Sequence, residues 1–234
     1  MHRTMLLFDI DGTLMDAAGA GREAFHRAAQ SLFGDALDFQ GIATAGRLDN
    51  EIFAEAAERA GWTEYEDEHA RLREHYPGVL TEELELRRDR VRALPGVHAL
   101  LDELESMSER QEHGPVLGCL TGNLRMGAHV KLNTVGIDPA RFSVTAFGDE
   151  ALTRPDLTSL AMRRYESLHG HAPAPERVVV IGDTPHDVDC ARAHGCVALA
   201  VATGRFDRQQ LTEAGADIVI DDLSDASVVL DLVR

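Results

Sequence analysis

The strongest constraint on this chain is an alternation. Short apolar runs at Thr4 to Phe8, Val116 to Leu120, Phe142 to Phe147, Arg177 to Ile181, Val197 to Ala202 and Ile218 to Ile220 suit buried strands. From the second run onward, segments of helical spacing separate or flank them: Val97 to Met107, Asn123 to Val135, Pro155 to Leu168, Pro185 to His194, and the end of the chain from Leu223. Strand and helix in turn predict an α/β fold with a doubly wound parallel sheet. One stretch breaks the pattern. Ala17 to Phe33, Asn50 to Ala60, Tyr65 to Tyr76 and Thr81 to Arg92 all read as helices, with Gly61 ending the second and Pro77 parting the last two. Leu94-Pro95-Gly96 marks the return to alternation. The expected organisation is a core of residues 1–15 and 93–234, with an all-helical insert, 16–92, after the first strand.

Ligands of such sheets sit beyond the carboxyl ends of the strands, near the switch in strand order. The residues there are Asp9, Thr121, the Gly148-Asp149 region and Asp183. Asp9-Ile10-Asp11-Gly12-Thr13 sets two carboxylates two residues apart, pointing the same way in extended geometry, with Gly12 to turn the chain behind them. One can attack while the other gives and takes a proton. The other reading is an ordinary acidic turn; an EF-hand loop is excluded, because its glycine and closing Glu are missing. In Gly182-Asp183-Thr184-Pro185-His186-Asp187, two acids four apart straddle a strand-to-helix turn. Such oxygen ligands suit Mg²⁺, although acids also favour a helix start for its own sake. Leu120-Thr121-Gly122-Asn123 offers a hydroxyl and free N–H groups at a helix start, an anion site.

Charge and composition narrow the partners. With 23 Lys+Arg against 40 Asp+Glu, the net charge of −17 disfavours nucleic acid. No apolar run approaches the ~20 residues of a membrane span. Met1-His2-Arg3 leads straight into the first strand without a secretory apolar region, and three unspaced cysteines fit a reducing cytosol, so a cytoplasmic protein is expected. Lys131 is the only lysine.

DIDGT, LTGN and GDTPHD, in that order and at those strand ends, resemble the haloacid dehalogenase superfamily of phosphotransferases, over essentially the whole chain. The resemblance implies a Rossmann-like core and a C1-type helical cap, as in phosphoglycolate phosphatase-like members. It implies a Mg²⁺-dependent hydrolase of small phosphate monoesters. By the same resemblance Asp9 is the nucleophile that forms an aspartyl-phosphate and Asp11 the general acid/base. Thr121, with Gly122 and Asn123, holds the phosphoryl group. Asp9, Asp11 through its carbonyl, Asp183 and Asp187 serve the metal. The family's third-motif lysine is replaced in position by Arg154, which can bind phosphate oxygens bidentately. Lys131 is the rival cation, placed about 15 Å along a helix from Thr121 and away from the strand ends. In the insert, Arg47 stands where it could reach a substrate anion; the alternative is a surface arginine beside an Asp49 N-cap.

Cys190, His194 and Cys196 lack a fourth metal ligand, His169 and His171 read as solvated loop, and Tyr65 to Glu68 as a solvated helix face. A dehalogenase is disfavoured by Asp11, and a Schiff-base hydrolase is excluded by an insert without lysine. A sugar phosphomutase of the β-phosphoglucomutase type shares all the core motifs; a non-catalytic binding protein on the same fold is the remaining alternative. The expected partner is a small phosphorylated metabolite, with neither nucleic acid nor membrane; oligomeric state has no signal in the sequence.

Overall fold

The computed structural model describes residues 3–110 and 114–234; Met1 and His2, read as the lead-in to the first strand, lie outside them. β1 (Met5–Phe8) enters the middle of the molecule and is followed by β2 (Met15–Asp16). Helices α1 (Ala20–Phe33), α2 (Asp49–Arg59) and α3 (Glu66–Leu86) come next, then β3 (Arg92–Ala93), which pairs antiparallel with β2. The remainder alternates: α4 (Val97–Arg110), β4 (Val116–Leu120), α5 (Arg125–Thr134), β5 (Val144–Ala146), α6 (Arg154–His169), β6 (Val178–Gly182), α7 (Pro185–Arg192), β7 (Val197–Val201), α8 (Arg208–Glu213), β8 (Ile218–Ile220) and α9 (Ser227–Val233).

Six strands form one parallel sheet in the order β5-β4-β1-β6-β7-β8. The doubly wound α/β architecture is the one the alternation predicts. Leu7 of β1 lies opposite Gly118 of β4 on one side and Val180 of β6 on the other. From β1 the chain leaves toward β4, and from β6 toward β7, so the switch in strand order falls between β1 and β6. Alternate residues feed opposite layers: Leu6 and Phe8 join the apolar cluster that runs up into α1–α3, whereas Met5 and Leu7 pack beneath α6 and α7.

The largest departure from expectation is Pro77. The two helices read on either side of it are a single helix, α3. Leu72, Tyr76, Val79, Leu80 and Leu84 fall on one face at helical spacing and are buried in the same cluster as Ala24, Phe25 and Ala28 of α1. That face passes through Pro77 unbroken, so packing outweighs the lost backbone hydrogen bond, and Thr81 Oγ1 donates to the Pro77 carbonyl (2.9 Å). The helix stops at Leu86, short of Arg92. Short α8 went unanticipated, since Leu211 is its one buried side chain. His169, expected in solvent, packs on Tyr165 with ring centroids 4.3 Å apart, and Tyr65 packs on Phe53. His194 bonds the carbonyl of Pro155 (2.9 Å). No helix among the described residues is long and apolar enough to cross a membrane.

Phe53 is fully buried, stacked on His69 at 4.7 Å and edge-on to Tyr65 at 5.8 Å. Phe53→Ala is expected to lower stability by about 3–5 kcal/mol, read from the urea midpoint at constant m-value.

Candidate active site

The site begins where β1 ends. Asp9 continues the pairing with β6 through its N–H to the Ile181 carbonyl (2.9 Å), after which Ile10 anchors a tight turn. Gly12 takes φ +77°, and a Cβ there would run into the Asp183 carboxylate, so both conformation and space demand glycine. β6 delivers Asp183 beside Asp9, and the first turn of α7 adds Asp187. Asp9, Asp183 and Asp187 are buried, with one oxygen of each within 4.8 Å of the others.

One cation balances this cluster. Arg154, at the start of α6, is 5 % exposed; its Nη2 donates to Asp9 Oδ2 (2.9 Å) and to Asp187 Oδ1. Asp187 Oδ2 accepts from the N–H (3.0 Å) and hydroxyl (2.7 Å) of Thr184, closing the N-terminus of α7. Asp187 thus serves the helix start and the cluster together. Burial pushes Asp9 up to about 6, with Arg154 opposing and Asp187 adding to the shift. Asp183, farther from the guanidinium, is driven by burial and by the Asp187 and Asp9 charges to about 9. Burial works against the charge of Arg154, but Asp187 and Asp9 hold it firmly protonated.

The cluster fits a hard divalent cation. Its donors are all oxygens, and Asp183 Oδ1 is buried with no hydrogen-bond partner. Gly12 and Gly204 press on the Asp183 carboxylate from two sides, so a Cβ at either position would overlap it. Asp11 is absent from the carboxylate cluster because its side chain turns the other way.

The second motif holds Asp11. Thr121, at the end of β4, is fully buried, and its hydroxyl eases the Asp9 carboxylate back toward the charged form. Asn123 Nδ2 reaches both Thr121 Oγ1 (2.7 Å) and Asp11 Oδ2 (2.8 Å). Gly122 has no room for a side chain between the Arg47 carbonyl and the Arg154 guanidinium. The helix-start anion site is corrected by the structure. α5 begins at Arg125, and the N–H groups of Leu124 and Arg125 are taken by Asp49 Oδ2 (2.9 Å) and Asp149 Oδ1 (3.2 Å).

Lys131 also stands elsewhere than expected. It is 4 % exposed, and its Nζ lies 2.5 Å from Asp11 Oδ2 and 2.5 Å from Asn123 Oδ1. Distance along the helix axis misleads here, because helical side chains lean back toward the N-terminus and the lysine stem spans the remainder. The structure therefore separates the two cations: Arg154 is on Asp9 and Lys131 on Asp11. Arg47 lines the site cavity, but its Nη1 is held by Glu55 (2.5 Å) and the Ala43 carbonyl (3.2 Å). Asp49 is not an N-cap. Leu48 precedes α2, and Asp49 ties α2 to the second motif through its carboxylate and through its N–H to the Gly122 carbonyl (2.8 Å). Burial pushes Asp49 up to about 6, against the charge of Lys131.

These groups face a cavity of about 400 Å³, floored by the strand ends and walled on the insert side by Phe25, Phe39, Ile52 and Tyr76. The sequence reading singled out neither Asp49 as a link nor Thr203-Gly204. The strand-end rule applied to β7 would have found the latter pair, whose Thr203 hydroxyl donates to the Gly12 carbonyl (2.5 Å).

Residues 154–226 match the HAD-hydrolase-like family model. A phosphoglycolate phosphatase of Synechococcus elongatus is 29% identical over 220 residues, 94% of this chain and 93% of that protein. The pyrophosphatase PpaX of Oceanobacillus iheyensis is 24% identical over 96% of this chain and 95% of its own. Among solved structures, a β-phosphoglucomutase of Clostridium difficile superposes with a TM-score of 0.70 at 18% identity, over 99% of this chain and 97% of that one, which is a likeness of fold. The resemblance read from three short motifs is thus met by a family model over residues 154–226 and by relatives along the full length, and the chain is similar to haloacid dehalogenase-like hydrolases of the phosphatase kind.

Proposed function

We propose that the protein hydrolyses small phosphate monoesters through an aspartyl-phosphate on Asp9, with Mg²⁺ as cofactor. The observation that carries this reading is Asp9 itself: a buried carboxylate at the strand switch, with a second acid two residues on and a guanidinium at one oxygen. Asp9 attacks phosphorus while Asp11 gives its proton to the departing oxygen. Asp11 then takes a proton from the water that cleaves the aspartyl-phosphate, restoring both carboxyl groups. Arg154, already on Asp9, and the Thr121 hydroxyl would receive the transferred oxygens, and Asn123 keeps Asp11 beside them. Asp9, Asp183, Asp187 and the Asp11 carbonyl would hold Mg²⁺, which when bound screens the anionic nucleophile from the anionic ester.

Substrate size follows from the cavity, whose 400 Å³ beneath the insert suits a metabolite and shuts out polymers. The names of the relatives, a phosphoglycolate phosphatase and a pyrophosphatase, favour transfer to water over transfer to a sugar. Cytoplasmic residence accords with Cys119, Cys190 and Cys196, each buried as a separate thiol.

Asp9→Asn is expected to cut phosphate release from a panel of small esters by at least about 10³-fold while leaving the circular dichroism spectrum unchanged. Retained turnover would remove the nucleophile assignment, and stable labelling of Asp9 in the wild type without phosphate release would favour a mutase. Mg²⁺ should raise the melting temperature, by the equivalent of about 2.7 kcal/mol at a hundred times Kd, and Asp183→Asn should abolish the rise. Because Asp183 without metal titrates near 9, it is protonated at pH 7 and must lose that proton to ligate. Calorimetry in buffers of different ionisation enthalpy should therefore show proton release on Mg²⁺ binding at pH 7, with less release above pH 9. Gly204→Ala, whose methyl group overlaps the doubly gripped Asp183 carboxylate, should lower Mg²⁺-dependent turnover by about tenfold or more.

A further inference from the structure

Among the described residues, Lys131 is the one buried charged side chain of the site for which the reading above has no task. It makes no hydrogen bond or ion pair with Asp9. Its ammonium is almost wholly withdrawn from water and spends its contacts on Asp11 Oδ2 and Asn123 Oδ1. The space it occupies is kept open by glycine: a Cβ on Gly21 of α1 would come within 3.0 Å of Nζ. A buried ammonium is costly, and this one is hydrogen-bonded to a single oxygen of a partly exposed carboxylate, with the Asp49 charge as its further counterpart, an arrangement that points to a task beyond stability.

We propose that Lys131 is the positioning residue for Asp11: with the Asn123 amide it pins the carboxylate by Oδ2 and leaves Oδ1 free for proton exchange with the leaving group. Both contacts go to the same oxygen, and Oδ1 carries no protein hydrogen bond among the described residues. Asp11 stands on a turn beside a glycine and is 42 % exposed, so without the pin its side chain is free to rotate. Held by one oxygen, it has a single orientation in which the other faces the cavity. In the first step the bond from phosphorus to the leaving oxygen breaks, Asp9 gains the phosphoryl group, and the proton on Asp11 Oδ1 passes to the leaving oxygen. The carboxylate left behind meets an ammonium already in contact with it. Lys131 exchanges no proton at any step.

The inference rests on Asp11 being the proton donor, and leaving-group chemistry tests the two separately. An alkoxide needs the proton to depart, whereas p-nitrophenolate leaves without it. First-turnover release is measured with Mg²⁺-loaded enzyme from p-nitrophenyl phosphate and from the alkyl phosphate that the wild type turns over fastest. In Lys131→Met the alkyl-to-aryl rate ratio should fall by about 10–100-fold. Lys131→Gln, which restores an uncharged donor in the same buried space, should give an intermediate ratio. Equal slowing on both esters would make Lys131 a phosphate ligand, and an unchanged ratio in both variants would leave it without this role; either result overturns the proposal. Asp11→Asn is the control. If its ratio does not fall, the proton-donor reading fails; if it falls while the Lys131 variants keep theirs, only the positioning role fails.

Discussion

Three carboxylates from two strand ends and a helix start bring one oxygen each to within 4.8 Å of the others, and a single buried guanidinium makes that convergence possible. Arg154 stands on α6, which packs over the β4–β5 side and against α7, and reaches the acids that follow β1 and β6. Removing ions from water costs several kcal/mol each, and the cost is offset only when partners are close and their remaining hydrogen bonds are made. Asp187 meets both conditions through Arg154 and Thr184, and Asp9 meets the first through Arg154. Asp183 meets neither. Its unpartnered oxygen and its raised pKa describe the same fact, a position left short of positive charge by the protein. A metal cofactor fits that shortfall.

The helical insert is bound to this arrangement at two levels. Its apolar face is continuous with the layer above the sheet, from Phe8 and Leu14 through Ala24 to Leu80. Its polar attachment is narrower. Asp49 crosses to the loop after β4, gripping the Gly122 carbonyl and the Leu124 N–H. The same loop carries Thr121 and Asn123. Any shift of α2 would therefore pull on the residues that hold Asp9 and Asp11, so the element that roofs the cavity is mechanically coupled to the chemistry beneath it.

The sheet and its acids were legible in the sequence because two independent signals coincide. The apolar runs mark strands by burial, and Asp9, Thr121 and Asp183 stand at their ends, where the fold class places ligands. What could not be read locally depends on direction or on partners distant in sequence. Pro77 ends a helix by local rules, but the apolar stripe of α3 against α1 overrides it. Lys131 was misplaced because a count of residues gives height along a helix and says nothing of where a long side chain leans. The N–H groups at the start of α5 read as a free anion site because their partners, Asp49 and Asp149, are 75 and 24 residues away.

The two cations also explain why the chain uses different residues for them. At Asp9 the task is to bridge: Arg154 bonds two carboxylates with Nη2 and lays Nη1 above Gly122, a planar reach that an ammonium lacks. At Asp11 the task is to hold one oxygen and one amide in a cramped space bounded by Gly21 and the Tyr76 ring, where a compact point charge on a long stem fits and a guanidinium is too broad. Arginine at the position where the resemblance leads one to expect lysine is thus compatible with a lysine elsewhere. The charge has been divided by geometry, with the forked cation on Asp9 and the compact one on Asp11.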